Sequence, residues 1–399
     1  MSPLKGTIRV ALANRALARA WDKGWSTAPV IEPDRLIAAA RASTGLHDLG
    51  DPTVWEVNLD CLCHAVATEA ALSPLGRTMA WGQLTGALRD RLRAHELWRR
   101  HPEIAEIPIT APVLVLGQMR SGTTRVQRLL ACDPRLRWTR FFESWCPVPA
   151  TPWPVGDRWI RAAAMLAAMH ALNPAFAVIH PTGVSAPDEE IGLHALSLFG
   201  SAWEAQWRIP TFARHCETVD TGGVYREFRM LLRTLAWQRR EGASRPWVLK
   251  VPQLTQDLGT VLDVFPDARV VRVERDPVAV VASAASLVRN QMAVQSDAVD
   301  PAWIGREWLG KVRLRRERVE AALTARPDVA RVTVGFDAMA RDWRGEMRRV
   351  YRMLGLALDA GVEKRMAASL ATASRAGLER HRYAIEEFGL SAEEVRTAA

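Results

Sequence analysis

An α/β fold, with a mostly parallel sheet flanked by helices, is the class this sequence predicts, and three observations predict it. Short apolar runs recur at Pro112–Leu116, Trp247–Val251, Ala268–Val273 and Ala330–Val334. Helical patterns separate them, the longest being a Trp-rich region from about Pro152 to Arg240. At two run ends the chain passes at once into a helix start, Gly117–Thr124 after the first and Asp276-Pro277 after the third. Continuous apolar runs are what strands buried on both faces look like, and strands separated by helices need crossovers, which make the sheet parallel.

Residues 1–108 predict a helical N-terminal extension. Trp81, Leu84, Leu88 and Leu92 form one apolar stripe, with Arg89, Asp90 and Arg93 outside it. His101-Pro102-Glu103-Ile-Ala-Glu-Ile-Pro108 punctuates the entry to the first strand, so residues 109–399 form the second unit, with the region 152–240 as a helical insertion. Trp303 to Leu323 predicts a long helix with a solvated basic face at Arg313, Arg315, Arg316 and Arg318.

The stretch Gly117-Gln118-Met119-Arg120-Ser121-Gly122-Thr123-Thr124 carries the most chemistry. A buried strand, a glycine loop and the helix pattern Arg125–Leu130 converge backbone N–H groups on one point, where the helix dipole favours an anion. The spacing from Gly117 to Gly122 matches the ATP-binding P-loop, which implies a P-loop NTPase-like sheet. The lysine that should follow the second glycine is Thr123, however, and the basic residue lies inside the loop at Arg120. That substitution argues against ATP chemistry.

The third run ends at Arg275, followed by Asp276 as N-cap, Pro277 at the first helical position and an apolar helix from Val278 to Val288. Arg275 therefore stands at the C-terminal edge of the sheet, where open α/β folds bind ligands. Ser283 follows two turns into the helix. A guanidinium fork and a hydroxyl at this junction suit a phosphate.

The glycine loop with its internal arginine, and Arg275-x7-Ser283, resemble the 5′-phosphosulfate and 3′-phosphate sites of sulfotransferases that use 3′-phosphoadenosine-5′-phosphosulfate (PAPS). The likeness extends through Thr44-Gly45-Leu46, His101-Pro102-Glu103-Ile104, Leu129–Arg137, Phe142-Glu143, Asp188-Glu189-Glu190 and Leu249-Lys250-Val-Pro252. It continues in Tyr351–Leu356 and His381-Arg-Tyr383 to Leu390. Over nearly the whole chain the sequence is similar to the bacterial PAPS-dependent sulfotransferase family proteins.

That resemblance implies sulfuryl transfer from PAPS to a hydroxyl or amine, with PAPS the donor. Arg120, Ser121, Gly122, Thr123 and Thr124 would hold the 5′-phosphosulfate, and Arg275 and Ser283 the 3′-phosphate. Lys250, one of only five lysines, is the candidate for the bridging oxygen. Pro252 occupies the place where cytosolic animal sulfotransferases carry a histidine base. Glu143 occupies a place similar to the glutamate base of tyrosylprotein sulfotransferases, and burial between Phe141, Phe142 and Trp145 is expected to raise its pKa. His194, four residues after Glu190 on one helical face, is the rival base, oriented by that carboxylate.

Composition frames these readings. A net charge of +9 and a pI near 9.8 suit a polyanionic ligand such as PAPS, while the strong arginine bias also reflects composition at large. Arginines scattered without a nucleic-acid-reading motif argue against duplex nucleic acid. The cysteines Cys61, Cys63, Cys132, Cys146 and Cys216 are odd in number and scattered, so no disulfide framework is expected. Cys61-x-Cys63-His64 lacks a second ligand pair, and no metal is expected because cationic side chains can supply the charge. The N-terminus lacks an apolar signal core, and Ile160–Ile179 is broken by Arg161, His170 and Asn173-Pro174. No transmembrane segment and a cytoplasmic setting are therefore expected.

Two other classes fit parts of the pattern. A P-loop phosphotransferase would need Asp276 or Asp337 as a metal ligand. A non-catalytic protein would bind the 3′-phosphoadenosine nucleotide without turnover. The acceptor, whether small molecule, carbohydrate or lipid, and the oligomeric state are not written in the sequence.

Overall fold

The computed structural model describes residues 7–150, 156–240, 245–375 and 383–399. Residues 152–155 of the middle region and His381 and Arg382 of the C-terminal likeness lie outside the described residues.

Five parallel strands form one sheet: β1 (Val113–Leu116), β2 (Arg137–Trp138), β3 (Trp247–Leu249), β4 (Arg269–Glu274) and β5 (Arg331–Gly335). Their order across the sheet is β2-β3-β1-β4-β5. The four apolar runs read from the sequence became β1, β3, β4 and β5. The missed strand, β2, is two residues long at the sheet edge, too short to carry a periodic signal.

β1 is central because all four of its residues are apolar and buried, so both faces can be covered. Leu114 and Leu116 pack with Leu249 and Val270 against the helices Gly222–Arg239 and Leu258–Val264. Val113 and Val115 join Val271, Val273 and Val334 under the helices Thr123–Leu130 and Trp343–Met353. This is the period of two expected of a pleated strand. After β3 the chain crosses to the other side of β1 to make β4, so the strand order reverses around β1 and opens a crevice at its C-terminal end.

The N-terminal helices Pro33–Thr44, Pro52–Thr68 and Pro74–Arg100 share a core with Phe199, Trp203, Trp207 and Phe212. Leu84, Leu88 and Leu92 are buried as expected, but Asp90 is buried too, held by Arg161 at 2.7 Å. The helix Pro301–Ala325 contains the anticipated span, yet its basic face is not uniformly solvated. Arg315 points inward to Glu204 at 3.2 Å, joined there by Lys311 at 2.8 Å. Among the described residues no helix is long and apolar enough to cross a membrane.

Candidate active site

Adjacent strands deliver the site. β1 ends in the glycine loop, β3 runs into Lys250, and β4 ends just before Arg275, so three loops meet where β3, β1 and β4 lie side by side.

The loop is tightly built. A Cβ at Gly117 would meet Ser121 Oγ at 2.6 Å and the Val273 carbonyl oxygen at 2.8 Å. Gly122 has φ 102°, and a Cβ there would meet the Phe336 ring at 2.7 Å. Both positions need glycine. The Gly117 N–H donates to Thr255 Oγ1 at 3.0 Å, pinning the loop to the segment after β3. Gly122 precedes the helix Thr123–Leu130 without a side-chain cap; the Arg125 N–H turns back to the Gly122 carbonyl at 3.0 Å, and the Thr123 and Thr124 amides stand at the helix start, where an anion would meet them. Ser121 Oγ is buried beside them with no hydrogen-bond partner. An orphaned buried hydroxyl, uncapped amides and a cradle that a Cβ would fill together fit a phosphate-like anion.

Arg120 has φ 73°, in the left-handed region. Its Nε donates to Ser283 Oγ at 3.1 Å and its Nη1 to the Ile179 carbonyl at 3.0 Å. Burial lowers its pKa, and its guanidinium also feels Arg275 and Glu189. Arg275 Nη1 donates to the Arg120 carbonyl at 2.9 Å while its guanidinium lies 4.2 Å from the Phe336 ring centre. The two motifs that lie far apart in sequence are thus in direct contact. A cavity of about 360 Å³ opens beside them, lined by Gly117, Ser121, Thr255 and Arg275. A smaller one, about 190 Å³, lies over β4 and β5 and includes none of the site residues.

Lys250 is buried, and its ammonium pairs with the Glu189 carboxylate. Asp188, Glu189 and Glu190 have separate environments. His180 at 3.4 Å and the Thr182 hydroxyl overcome the burial of Asp188 and bring it down to about 2. Its carbonyl accepts from Gln127 Nε2 at 3.0 Å, tying the acidic segment to the glycine-loop helix. Glu190 is fully buried, which pushes its carboxyl up to about 8 even though one oxygen accepts the Lys250 N–H at 2.6 Å.

Two expectations about the base are corrected. Glu143 is buried, and burial alone would raise its pKa, but the Arg239 guanidinium, 2.8 Å away through Nε, and Arg140 bring it below the usual value. The premise of an elevated carboxylate therefore fails. His194 does not pair with Glu190: neither ring nitrogen has a hydrogen-bond partner. The ring stacks on Phe228 at 4.6 Å and meets Tyr225 edge-on, and burial lowers its pKa to about 3. It is a core residue. The Asp-Glu-Glu triplet was visible as part of the family likeness, but its pairing with Lys250 depends on a contact across some sixty positions and had no local signal.

A glycine loop at the end of a parallel strand, with basic residues from neighbouring strand ends, is the arrangement of an α/β protein whose crevice suits a phosphate-like anion. The profile of the Sulfotransferase family matches residues 112–360, and the chain belongs to that family. It is similar in structure to sulfotransferase STF1 of Mycobacterium tuberculosis, with a TM-score of 0.80 and 27% identity over 93% of this chain and 99% of that one. Sulfotransferase STF9 of Mycobacterium avium gives 0.81 and 25% identity, covering 94% of this chain and 96% of the other. A search of curated proteins found no match. As a sulfotransferase the chain requires a sulfuryl donor and an acceptor.

Proposed function

We propose that this enzyme moves a sulfuryl group from PAPS to a hydroxyl or amine of its acceptor. What supports this most is the contact of Arg120 with Ser283 and of Arg275 with the Arg120 backbone, which joins two phosphate-type sites into one cationic cleft. Ser121, Thr123, Thr124 and the amides around Gly122 would hold the 5′-phosphosulfate, and Arg275 with Ser283 the 3′-phosphate. PAPS would supply the sulfuryl group and a stable bisphosphate leaving group.

The chain's own residues would do the rest. Arg120, desolvated and held by Ser283, would stabilise charge on the transferring group. Lys250 would serve the bridging oxygen. Glu189, which meets the Lys250 ammonium and is partly open to solvent, would take the acceptor proton in place of Glu143. The cationic side chains would carry the charge that a metal supplies in phosphotransferases.

Calorimetry tests the donor. 3′-Phosphoadenosine 5′-phosphate should bind much more tightly than AMP or ATP, and sulfur-labelled PAPS should label an acceptor from a metabolite extract in excess chelator. Equal affinity for ATP and the bisphosphate, with magnesium-dependent transfer, would replace this reading with a phosphotransferase. Tight bisphosphate binding without labelling would leave a nucleotide-binding protein.

A further inference from the structure

We infer that the helices Ile8–Asp22 and Asp157–Leu172, with the adjoining Pro174–Ile179, form a surface that docks on an anionic lipid bilayer and presents a lipid-borne acceptor to the site. The outer face of Asp157–Leu172 is apolar. Ile160 is 63% exposed and Trp159 47%, and the other exposed positions on this helix are Met165 and alanines. None of its charged residues faces water freely. Arg158 is buried, and Arg161 and Asp157 are half-buried in pairs with Asp90 and each other. A helix in contact with water normally places its polar side outward. This one is apolar on both sides, and Val178 extends the patch into the next helix.

The N-terminal helix lies against its far end. Thr7 Oγ1 donates to the Leu172 carbonyl and Arg9 Nη1 to the Ala171 carbonyl, each at 2.9 Å. This helix exposes Ile8 at 80%, Leu12, and, just past its end, Trp25 at 71%. Between them stand the exposed cations Arg15, Arg19 and Lys23, with Asp22 the one exposed acid of the helix. Arg19 reaches over the Trp25 ring at 6.0 Å. Exposed Trp, Ile and Leu interleaved with Arg and Lys, whose stems can lie along apolar chains while their charges meet phosphates, are the composition of interfacial helices.

Charge complementarity selects an anionic bilayer over a second copy. An isologous dimer would bring the same cations towards their own counterparts across a two-fold axis. The surface also leads to the chemistry: Ile179, the last residue of this arm, is the carbonyl that accepts Arg120 Nη1. That the acceptor is lipid-borne rests on the sulfuryl-transfer reading. The docking surface does not, and the assay below contains no nucleotide, so failure of one is told apart from failure of the other.

The test is co-sedimentation of the full chain with phosphatidylcholine vesicles, with and without phosphatidylglycerol. Binding should be at least about ten-fold stronger to the anionic vesicles and should weaken as salt rises. The double variant Ile160→Glu/Met165→Glu should lose about ten-fold or more of that binding while keeping its melting temperature and its affinity for the bisphosphate. Equal sedimentation with both vesicles, or undiminished binding by the variant, would overturn the inference. So would a wild-type dimer in light scattering that ignores vesicles and becomes monomeric in the variant, since a second copy would then be the occupant.

Discussion

Arg120 donates from Nε to the Ser283 hydroxyl across 3.1 Å, so the glycine-loop arginine and the helix serine of the other motif act on one another directly. Ser283 thereby holds the guanidinium in place before any ligand arrives, and Arg275 fixes the backbone behind it. The cleft is preorganised by its own basic residues, which binding alone would otherwise have to order.

Removing these groups should separate two effects. Arg275→Ala should weaken bisphosphate binding about ten-fold or more, the loss expected for a charge-assisted contact of about 1.5–3 kcal/mol. Ser283→Ala should weaken binding and also lower kcat, because Arg120 loses its Nε partner. Calorimetry with steady-state kinetics measures both, and an unchanged kcat in Ser283→Ala would reduce the serine to a binding role.

The Lys250–Glu189 pair gives a second expectation. Glu189→Gln keeps the shape and removes the proposed proton acceptor, so kcat should fall by about 10²–10⁴ with bisphosphate affinity retained. Lys250→Met should also lower kcat, and the double variant should lose less than the sum because the two side chains share one contact. Turnover near wild type in Glu189→Gln would remove it from the proton-transfer role.

Glu143→Gln should behave differently. It breaks a buried ion pair with Arg239, which costs about 3–5 kcal/mol when one charge is left alone, so the melting temperature should fall while kcat survives. A normal melting temperature with collapsed turnover would return the base to Glu143.

Two buried groups set opposite pH slopes. His194 is lowered from 6.5 to about 3, so the unfolded chain takes up its proton first, and the stability it contributes above 6.5 is lost as pH falls towards 3. Glu190 is raised from 4.5 to about 8, so its contribution is complete below 4.5 and lost as pH rises through 8. Each unit inside a window costs up to about 1.4 kcal/mol. Melting curves should show His194→Phe losing less stability than wild type between neutral and acid pH, and Glu190→Gln losing less on the alkaline side.

What was readable in the sequence was local. Gly117–Thr124 and Arg275-Asp276-Pro277 write strand, turn and helix start in consecutive residues, so loop and junction could be placed before any contact was known. Glu143 could not be judged this way, because the charge that lowers its pKa comes from Arg239 on a distant helix. His194 followed a carboxylate at the right interval, but a short helix turned its ring into Phe228 instead. Arg315 looked solvated among its neighbours until Glu204 drew it inward.

The sheet order has a kinetic consequence. Leu114 of β1 pairs with Leu249 on one side and Val270 on the other, both far downstream. During synthesis β1 must wait, apolar and without partners, until β3 and β4 have left the ribosome. Non-local parallel pairings of this kind fold slowly and leave strand edges exposed to aggregation. The glycine loop at the end of β1 is therefore among the last features to acquire its shape, and expression yield should depend more on chaperone supply than on the stability of the finished fold.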